Sequence, residues 1–262
     1  MKSFNTVEYN IKSNKIKNSK SIHIVMLSDL HNREHGAYNN LLIKMIKKLN
    51  PHVVLVGGDM ITASEKNMEV PLKLLMELSN SFPIFYANGN HEQRAVLLRK
   101  GYTIVYAKYK NSLKANGVVF LEDEKVKMTI EGNRIDLYGY DLPISFYKKF
   151  CYKTIQKKEI ENSIGLPDKS PFSILLAHNP MHFKAYADWG ADLTLSGHLH
   201  GGIIRLPIIG GVITPQALPF PKYDRGLYNI DNHKLIVSAG LGEHTIKIRI
   251  NNPAQLVVIN LN

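Results

Sequence analysis

A chain of 262 residues that is 44% hydrophobic and 21% charged can bury a sizeable core, which excludes disorder and collagen-like repeats. Its one cysteine, Cys151, excludes an internal disulfide scaffold and a thiolate metal cluster, and suits a reducing compartment. Thirty-three Lys and Arg against 22 Asp and Glu leave a net charge of +11, which points to anionic partners: phosphorylated small molecules, nucleic acid or lipid headgroups.

Residues 1–20 are polar and lysine-rich, with no apolar run of the kind a signal peptide needs. Within them Val7, Tyr9 and Ile11 alternate with polar residues, as in a surface strand. Next come a strand at Ile22–Leu27, a helix over 38–49, a buried strand at Val53–Val56 and a helix over 70–78. A strand at Ile84–Ala87 leads into a long helical stretch, about 92–116. Strands are predicted at 118–121, 126–130 and 135–138, a helix around 146–161, and strands at 173–177 and 193–195. The apolar stretch 201–213 is broken by Arg205 and falls short of the roughly 20 residues that cross a bilayer. From 203 onward β-hairpin material runs to a final strand at 255–261. A βαβ rhythm in front and a β-rich back predict one layered α/β domain with mixed sheets over residues 1–262, residues 1–20 forming a polar lead-in.

Five apolar runs end in residue types that ligate metals. They finish at Asp29-Leu-His31, Asp59, Asn90-His91-Glu92, His178 and His198-Leu-His200. Ligands gather at the carboxyl ends of strands in open α/β sheets, so these endings are expected to converge. The two pairs spaced two apart, Asp29/His31 and His198/His200, project to one side if extended. Gly57, Gly58, Gly89 and Gly197 precede the ligands, where a missing Cβ permits close backbone approach.

This order of Asp-x-His, Gly-Asp, Gly-Asn-His-Glu, a single His and Gly-His-x-His resembles the signature of the calcineurin-like metallophosphoesterase superfamily. The stretches 176–180 (Leu-Ala-His-Asn-Pro), 196–202 (Ser-Gly-His-Leu-His-Gly-Gly) with 205–207 (Arg-Leu-Pro), and 249–253 (Arg-Ile-Asn-Asn-Pro) look like its branch of small bacterial phosphodiesterases, often membrane-tethered or exported. The turn Leu241-Gly-Glu-His244 departs from the more serine-rich turn of that branch. The resemblance implies a four-layer αββα sandwich of two mixed β-sheets flanked by helices. It also implies two divalent metal ions: Asp29, His31 and His200 on one, Asn90, His178 and His198 on the other, and the Asp59 carboxylate between them, with a bridging hydroxide for in-line attack on phosphorus. His91 is then the residue expected to protonate the leaving oxygen. An all-nitrogen-and-oxygen ligand set admits Mn²⁺, favoured by the resemblance, or Fe, Zn²⁺ or Co²⁺. Arg205, Arg249 and His244 are candidate substrate contacts.

The expected substrate is a small or lipid-linked phosphoester, and the expected location is cytoplasmic, peripheral to the membrane. From Gln93 to Leu121 six Lys and Arg occur without an acid, around Tyr102, Tyr106 and Tyr109 at helical spacing. That stretch reads either as a solvated helix with an aromatic core stripe or as a basic flap that meets anionic lipid. Two other functions compete: a nuclease of the same superfamily, disfavoured because no basic groove with stacking aromatics is evident, and a metal-binding scaffold without activity. The acidic cluster 122–124 reads as a solvated turn, and His23, His52, His182 and His233 as surface or satisfied polar residues.

Overall fold

The computed structural model describes residues 4–17, 20–63, 65–97, 100–202, 205–206, 210–212, 214, 219–243, 249 and 252–262. In chain order the strands are β1 (Phe4–Ile11), β2 (Ile22–Leu27), β3 (Val53–Val56), β4 (Ile84–Ala87), β5 (Val119–Leu121), β6 (Glu124–Ile130) and β7 (Asn133–Gly139). They continue with β8 (Phe172–Leu176), β9 (Leu193–Ser196), β10 (Arg205–Leu206), β11 (Gly210–Gly211), β12 (Gly226–Ile230), β13 (His233–Val237) and β14 (Ala254–Leu261). The helices are α1 (Asn40–Leu49), α2 (Glu69–Ser79), α3 (Asn90–Leu97), α4 (Lys100–Ala115), α5 (Lys157–Ile164) and α6 (Phe183–Trp189).

One six-stranded sheet runs β1-β14-β2-β3-β4-β5, with β2 to β5 parallel and β14 antiparallel to β2. The other runs β12-β13-β9-β8-β7-β6; its middle four strands are parallel and both edges antiparallel. Both sheets are therefore mixed, and the alternation of strand side chains decides how they stack. On β2, Ile24 and Met26 face Ile174, Leu176 and Leu195 of the second sheet. Their neighbours Val25 and Leu27 face the other way, against Leu42 and Ile46 of α1 and Leu74 and Leu78 of α2. The outer face of the second sheet does the same: Leu175, Leu235 and Val237 pack with Ile160 of α5 and Phe183, Tyr186 and Trp189 of α6. Three apolar layers thus hold four layers of structure, helix, sheet, sheet and helix. No helix among the described residues is long and apolar enough to cross a membrane.

Three elements differ from expectation. The helix expected over 146–161 is a 3-10 turn, Ile144–Tyr147, followed by extended chain and then α5. Tyr147 is drawn into the interior and Phe150 adopts φ +55°, so the helix cannot continue. The long helix of 92–116 is two helices, α3 and α4, and the Thr103 hydroxyl of α4 donates to the Ala95 and Val96 carbonyls at the end of α3. Seven-residue α6, opened by Pro180 and closed by Gly190 at φ +114°, is too short to show a period. Tyr106 and Tyr109 of α4 are buried against α2 and the first sheet, as the aromatic stripe implies.

Candidate metal centre

The five strand endings meet. Asp29 follows β2, Asp59 follows β3, Asn90 and His91 open α3 after β4, His178 follows β8, and His198 and His200 follow β9. Each sheet delivers its residues from the carboxyl ends of parallel strands, at the one edge where the two layers face each other. Three sets of side chains bring their ligand atoms within 4.8 Å of one another: Asp29/His31/His200, His31/Asp59/His91 and Asp59/His178/His198. His31 and Asp59 each belong to two sets, which makes the cluster continuous.

The backbone that achieves this is not extended. Asp29, His31, Asp59, His198 and His200 have φ of 53°, 49°, 54°, 69° and 52°. The two Asp/His-x-His pairs therefore converge through left-handed residues, correcting the expectation that extended chain aligns them. Such residues cost of order 1–3 kcal/mol each and persist only where their surroundings fix them. Here the surroundings are main-chain bonds between loops: Asp29 N to Gly58 O (2.9 Å), His31 N to Asp59 O (3.2 Å) and Gly197 N to His178 O (3.0 Å). Close approach needs bare glycine, since a Cβ on Gly89 collides with the Asp59 carboxylate and one on Gly197 with Ser28 and Asp29.

Side chains are aimed by the same loops. Asp29 accepts from the Ser28 hydroxyl and from His198 N (2.9 Å), and Asp59 Oδ1 accepts from His91 N (2.8 Å). His178 Nδ1 donates to Gly57 O at 2.6 Å, which leaves the lone pair of Nε2 turned towards Asp59 Oδ2 (3.1 Å) and Asp29 Oδ1 (3.7 Å). His31 Nδ1 meets Ile61 O at 3.2 Å, while its Nε2 lies 3.1 Å from His200 Nε2. Nε2 of His178 and Oδ1 of Asn90 are buried without a hydrogen-bond partner. Acceptors that face acceptors out of water are costly unless a cation lies between them. The donor set therefore fits divalent metal. Without one, burial opposes charge on His178, but the Asp59 and Asp29 carboxylates outweigh it and push its pKa up to about 10. Burial likewise opposes the Asp59 charge, and His178, His91 and His31 overcome it, holding that carboxyl well below its usual range.

Two residues unassigned by the sequence reading support the centre. Glu92 is fully buried, and its carboxylate accepts from Asp59 N, Met60 N and Gly89 N, each at 2.9 Å, and from Tyr86 Oη at 2.7 Å. It staples the loop after β3 to the loop after β4. Asn252 donates to the His200 and Gly202 carbonyls and accepts from Arg225. The signal for Glu92 was its place in Asn-His-Glu, two residues from Asn90, where only a structural reason demands a carboxylate.

The candidate substrate contacts fare differently. Arg249 gives its guanidinium to the main-chain carbonyls of Ala239, Gly240, Gly242 and Asn252 and touches His200 Nδ1 at 3.4 Å. These bonds clamp the turn beside the centre. Arg33 pairs with Glu243 at 3.1 Å. His244 and the side chain of Arg205 lie outside the described residues. The 122–124 cluster is not wholly solvated, because Glu122 pairs with Lys110 and accepts from Asn88 at 3.0 Å.

Asp141, beside Asn88, gives a pH prediction. Burial, reinforced by Asp123 and Glu122, pushes its pKa from 3.8 up to about 7, against one stabilising bond from Asn88 Nδ2 (3.0 Å). A raised carboxylate pKa means that the folded chain keeps a proton the unfolded chain has released, so stability falls as pH rises through this window. Asp141→Asn keeps an acceptor for Asn88 and abolishes the burden. Its gain in melting temperature over wild type is expected to be larger at pH 8 than at pH 5, by on the order of 5 °C. A gain that shrinks over that interval would show the charge to be well accommodated.

Comparison with known proteins agrees with the geometry. Residues 22–202 match the family model for calcineurin-like phosphoesterases. The chain is 27% identical over 263 residues to the Bacillus subtilis metallophosphoesterase YkuE, covering 98% of this chain and 85% of that protein. It is 29% identical to the Campylobacter jejuni metallophosphoesterase Cj0846, covering 92% of this chain but 59% of the longer relative. Among solved structures, the phosphopantetheinyl hydrolase of Mycobacterium tuberculosis superposes with a TM-score of 0.52 at 14% identity, over 83% of this chain and 88% of the other. The 5'-nucleotidase precursor of Thermus thermophilus gives 0.54 at 13%, over 84% and 49%. At such identities these two establish the fold alone. With the family model spanning the loops that build the cluster, the chain belongs to the calcineurin-like phosphoesterases.

Proposed function

We propose that this protein is a dinuclear metal-dependent phosphodiesterase acting on a small or lipid-linked phosphoester. Asp29, His31 and His200 would hold one ion, Asn90, His178 and His198 the second, and Asp59 would serve both. The observation that carries the reading is the pair of buried acceptors without a hydrogen-bond partner, His178 Nε2 and Asn90 Oδ1, the first of them facing the Asp59 and Asp29 carboxylates. Two divalent ions, Mn²⁺ first and Fe, Zn²⁺ or Co²⁺ otherwise, would supply Lewis-acid polarisation of the phosphoryl oxygens and acidify a water.

The protein's own groups do the rest. Ala63 N donates to His91 Nδ1 at 2.9 Å, so the proton of the neutral ring sits on Nε2, and burial favours that neutral form. Nε2–H is then a fixed hydrogen-bond donor to the charge that develops on the departing oxygen, whose proton would come from water. Tyr147, buried and edge-on to His198 with 5.0 Å between ring centroids, walls the centre from the interior of the second sheet's helical layer. Preference for a diester rests on charge. Arg249 is engaged by carbonyls and Arg33 by Glu243, so neither is offered to clamp the extra charge of a terminal phosphate.

Removing metal with EDTA and restoring Mn²⁺ is expected to abolish and recover hydrolysis of bis(p-nitrophenyl) phosphate, with p-nitrophenyl phosphate the poorer substrate. Faster monoester turnover, or no turnover with any of the four metals bound, overturns the proposal. His91→Ala is expected to lower kcat by about 10²-fold for an alkyl leaving group, on whose oxygen much negative charge develops. The loss should be much smaller for p-nitrophenolate, which delocalises that charge. Equal losses for both would remove His91 from that role.

A further inference from the structure

Two segments hold the whole charge imbalance of the chain. From Gln93 to Leu121 there are six Lys and Arg and no acid, and from Leu142 to Lys158 there are five lysines and no acid. With those eleven set aside, the remainder carries 22 basic and 22 acidic residues, so the +11 lies entirely in these two stretches. Folding joins them. Gln93 of α3 donates to the Leu142 carbonyl at 3.0 Å, and α3 packs on the Ile144–Tyr147 turn. Because α3 opens at Asn90 and Tyr147 abuts His198, both segments lead outward from the rim of the metal centre.

The same rim exposes large apolar side chains: Leu97 (62%), Ile104 (60%), Phe150 (65%) and Tyr152 (74%), with Val96 about half exposed. The Thr103 bonds to the Ala95 and Val96 carbonyls fix Ile104 beside the end of α3. One turn on, Lys108 shares the outer face of α4 with Ile104. Lys110 turns back to Glu122 and Lys114 to the Phe120 ring, whereas Lys108, Lys149, Lys153 and Lys157 are exposed.

We propose that this rim docks on an anionic lipid bilayer, with Leu97, Ile104, Phe150 and Tyr152 entering the headgroup–acyl boundary and the lysines meeting anionic headgroups. The combination selects the partner. Aliphatic Leu97 and Ile104 do not stack on nucleic-acid bases, and protein interfaces are depleted in lysine, whereas interfacial membrane sites combine exposed apolar residues with a lysine-rich surround. Docking would hold the metal centre at the membrane surface and favour phosphoesters that reside there. Only that preference rests on the proposed hydrolase activity; the binding itself does not.

The test is co-sedimentation of the full chain with phosphatidylglycerol/phosphatidylcholine vesicles and with phosphatidylcholine vesicles at 0.1 M salt. Binding is expected to the anionic vesicles only. It should fall tenfold or more in a variant carrying Leu97→Ser, Ile104→Ser, Phe150→Ser and Tyr152→Ser, and in a second carrying Lys148→Glu and Lys149→Glu. Hydrolysis of bis(p-nitrophenyl) phosphate should be unchanged in both, which also reports that they fold. Wild-type failure to bind anionic vesicles, or undiminished binding by either variant, overturns the docking surface. So does binding to an oligonucleotide but not to vesicles. Vesicle binding by a wild-type chain that hydrolyses nothing would uphold the surface and overturn the hydrolase.

Discussion

Replacing Asp59 by Asn is expected to lower metal-dependent hydrolysis of bis(p-nitrophenyl) phosphate by about 10³-fold or more, a barrier increase of roughly 4 kcal/mol. Asn suits the test because Asp59 has φ 54°, a conformation that Asn adopts more readily than most residues, so the loop is retained. One carboxylate oxygen is kept as an amide oxygen, able to accept from His91 N as Asp59 Oδ1 does. What is lost is the negative charge shared by the ligand sets of His31 and of His178. The expected companion result is a fall in bound metal, measured by elemental analysis, with an unchanged circular dichroism spectrum. Near-normal turnover in the variant would remove Asp59 from the centre of the chemistry and with it the dinuclear reading.

A second large effect is expected at Glu92, and there it concerns stability first. Glu92→Ala strips the acceptor from three buried main-chain N–H groups, those of Asp59, Met60 and Gly89. Each buried donor left without a partner costs about 1–3 kcal/mol, so a loss of about 3–5 kcal/mol in urea unfolding is expected even without metal. Glu92→Gln should recover only part of this, since one amide oxygen replaces two carboxylate oxygens and its NH₂ meets donors. Burial and the nearby Asp59 charge push the Glu92 pKa up to about 7, so the carboxyl is held there by geometry against its own desolvation. A loss below about 1 kcal/mol would mean that the two loops are fixed by other bonds.

Much of this architecture was legible because it depends on local pattern. β2, β3 and β4 were bounded correctly from short apolar runs ending in Gly, Ser or Asn, and the residues that cluster were visible as strand endings. What sequence could not convey was conformation that only tertiary bonds stabilise. Asp29 and His31 looked extended, yet φ near 50° is imposed by partners 29 and 28 residues away, Gly58 and Asp59. Guanidinium charge is all that the sequence displays of Arg249; its bonds to four carbonyls, from the turn at 239–242 and from Asn252, come from the tertiary fold. The helix expected over 146–161 failed because Tyr147 obeys the centre rather than its own neighbours.

The order of the first sheet bears on how the chain is made. β14, the last strand among the described residues, lies between β1 and β2, the first two of them. It pairs with β1 along its full length and with β2 over five residues. Until β14 pairs, β2 presents an open edge and β1 has no partner in the sheet, so the folding chain carries an unpaired template for aggregation. Closure of the sheet therefore waits on pairing of high sequence separation, and is slow for that reason.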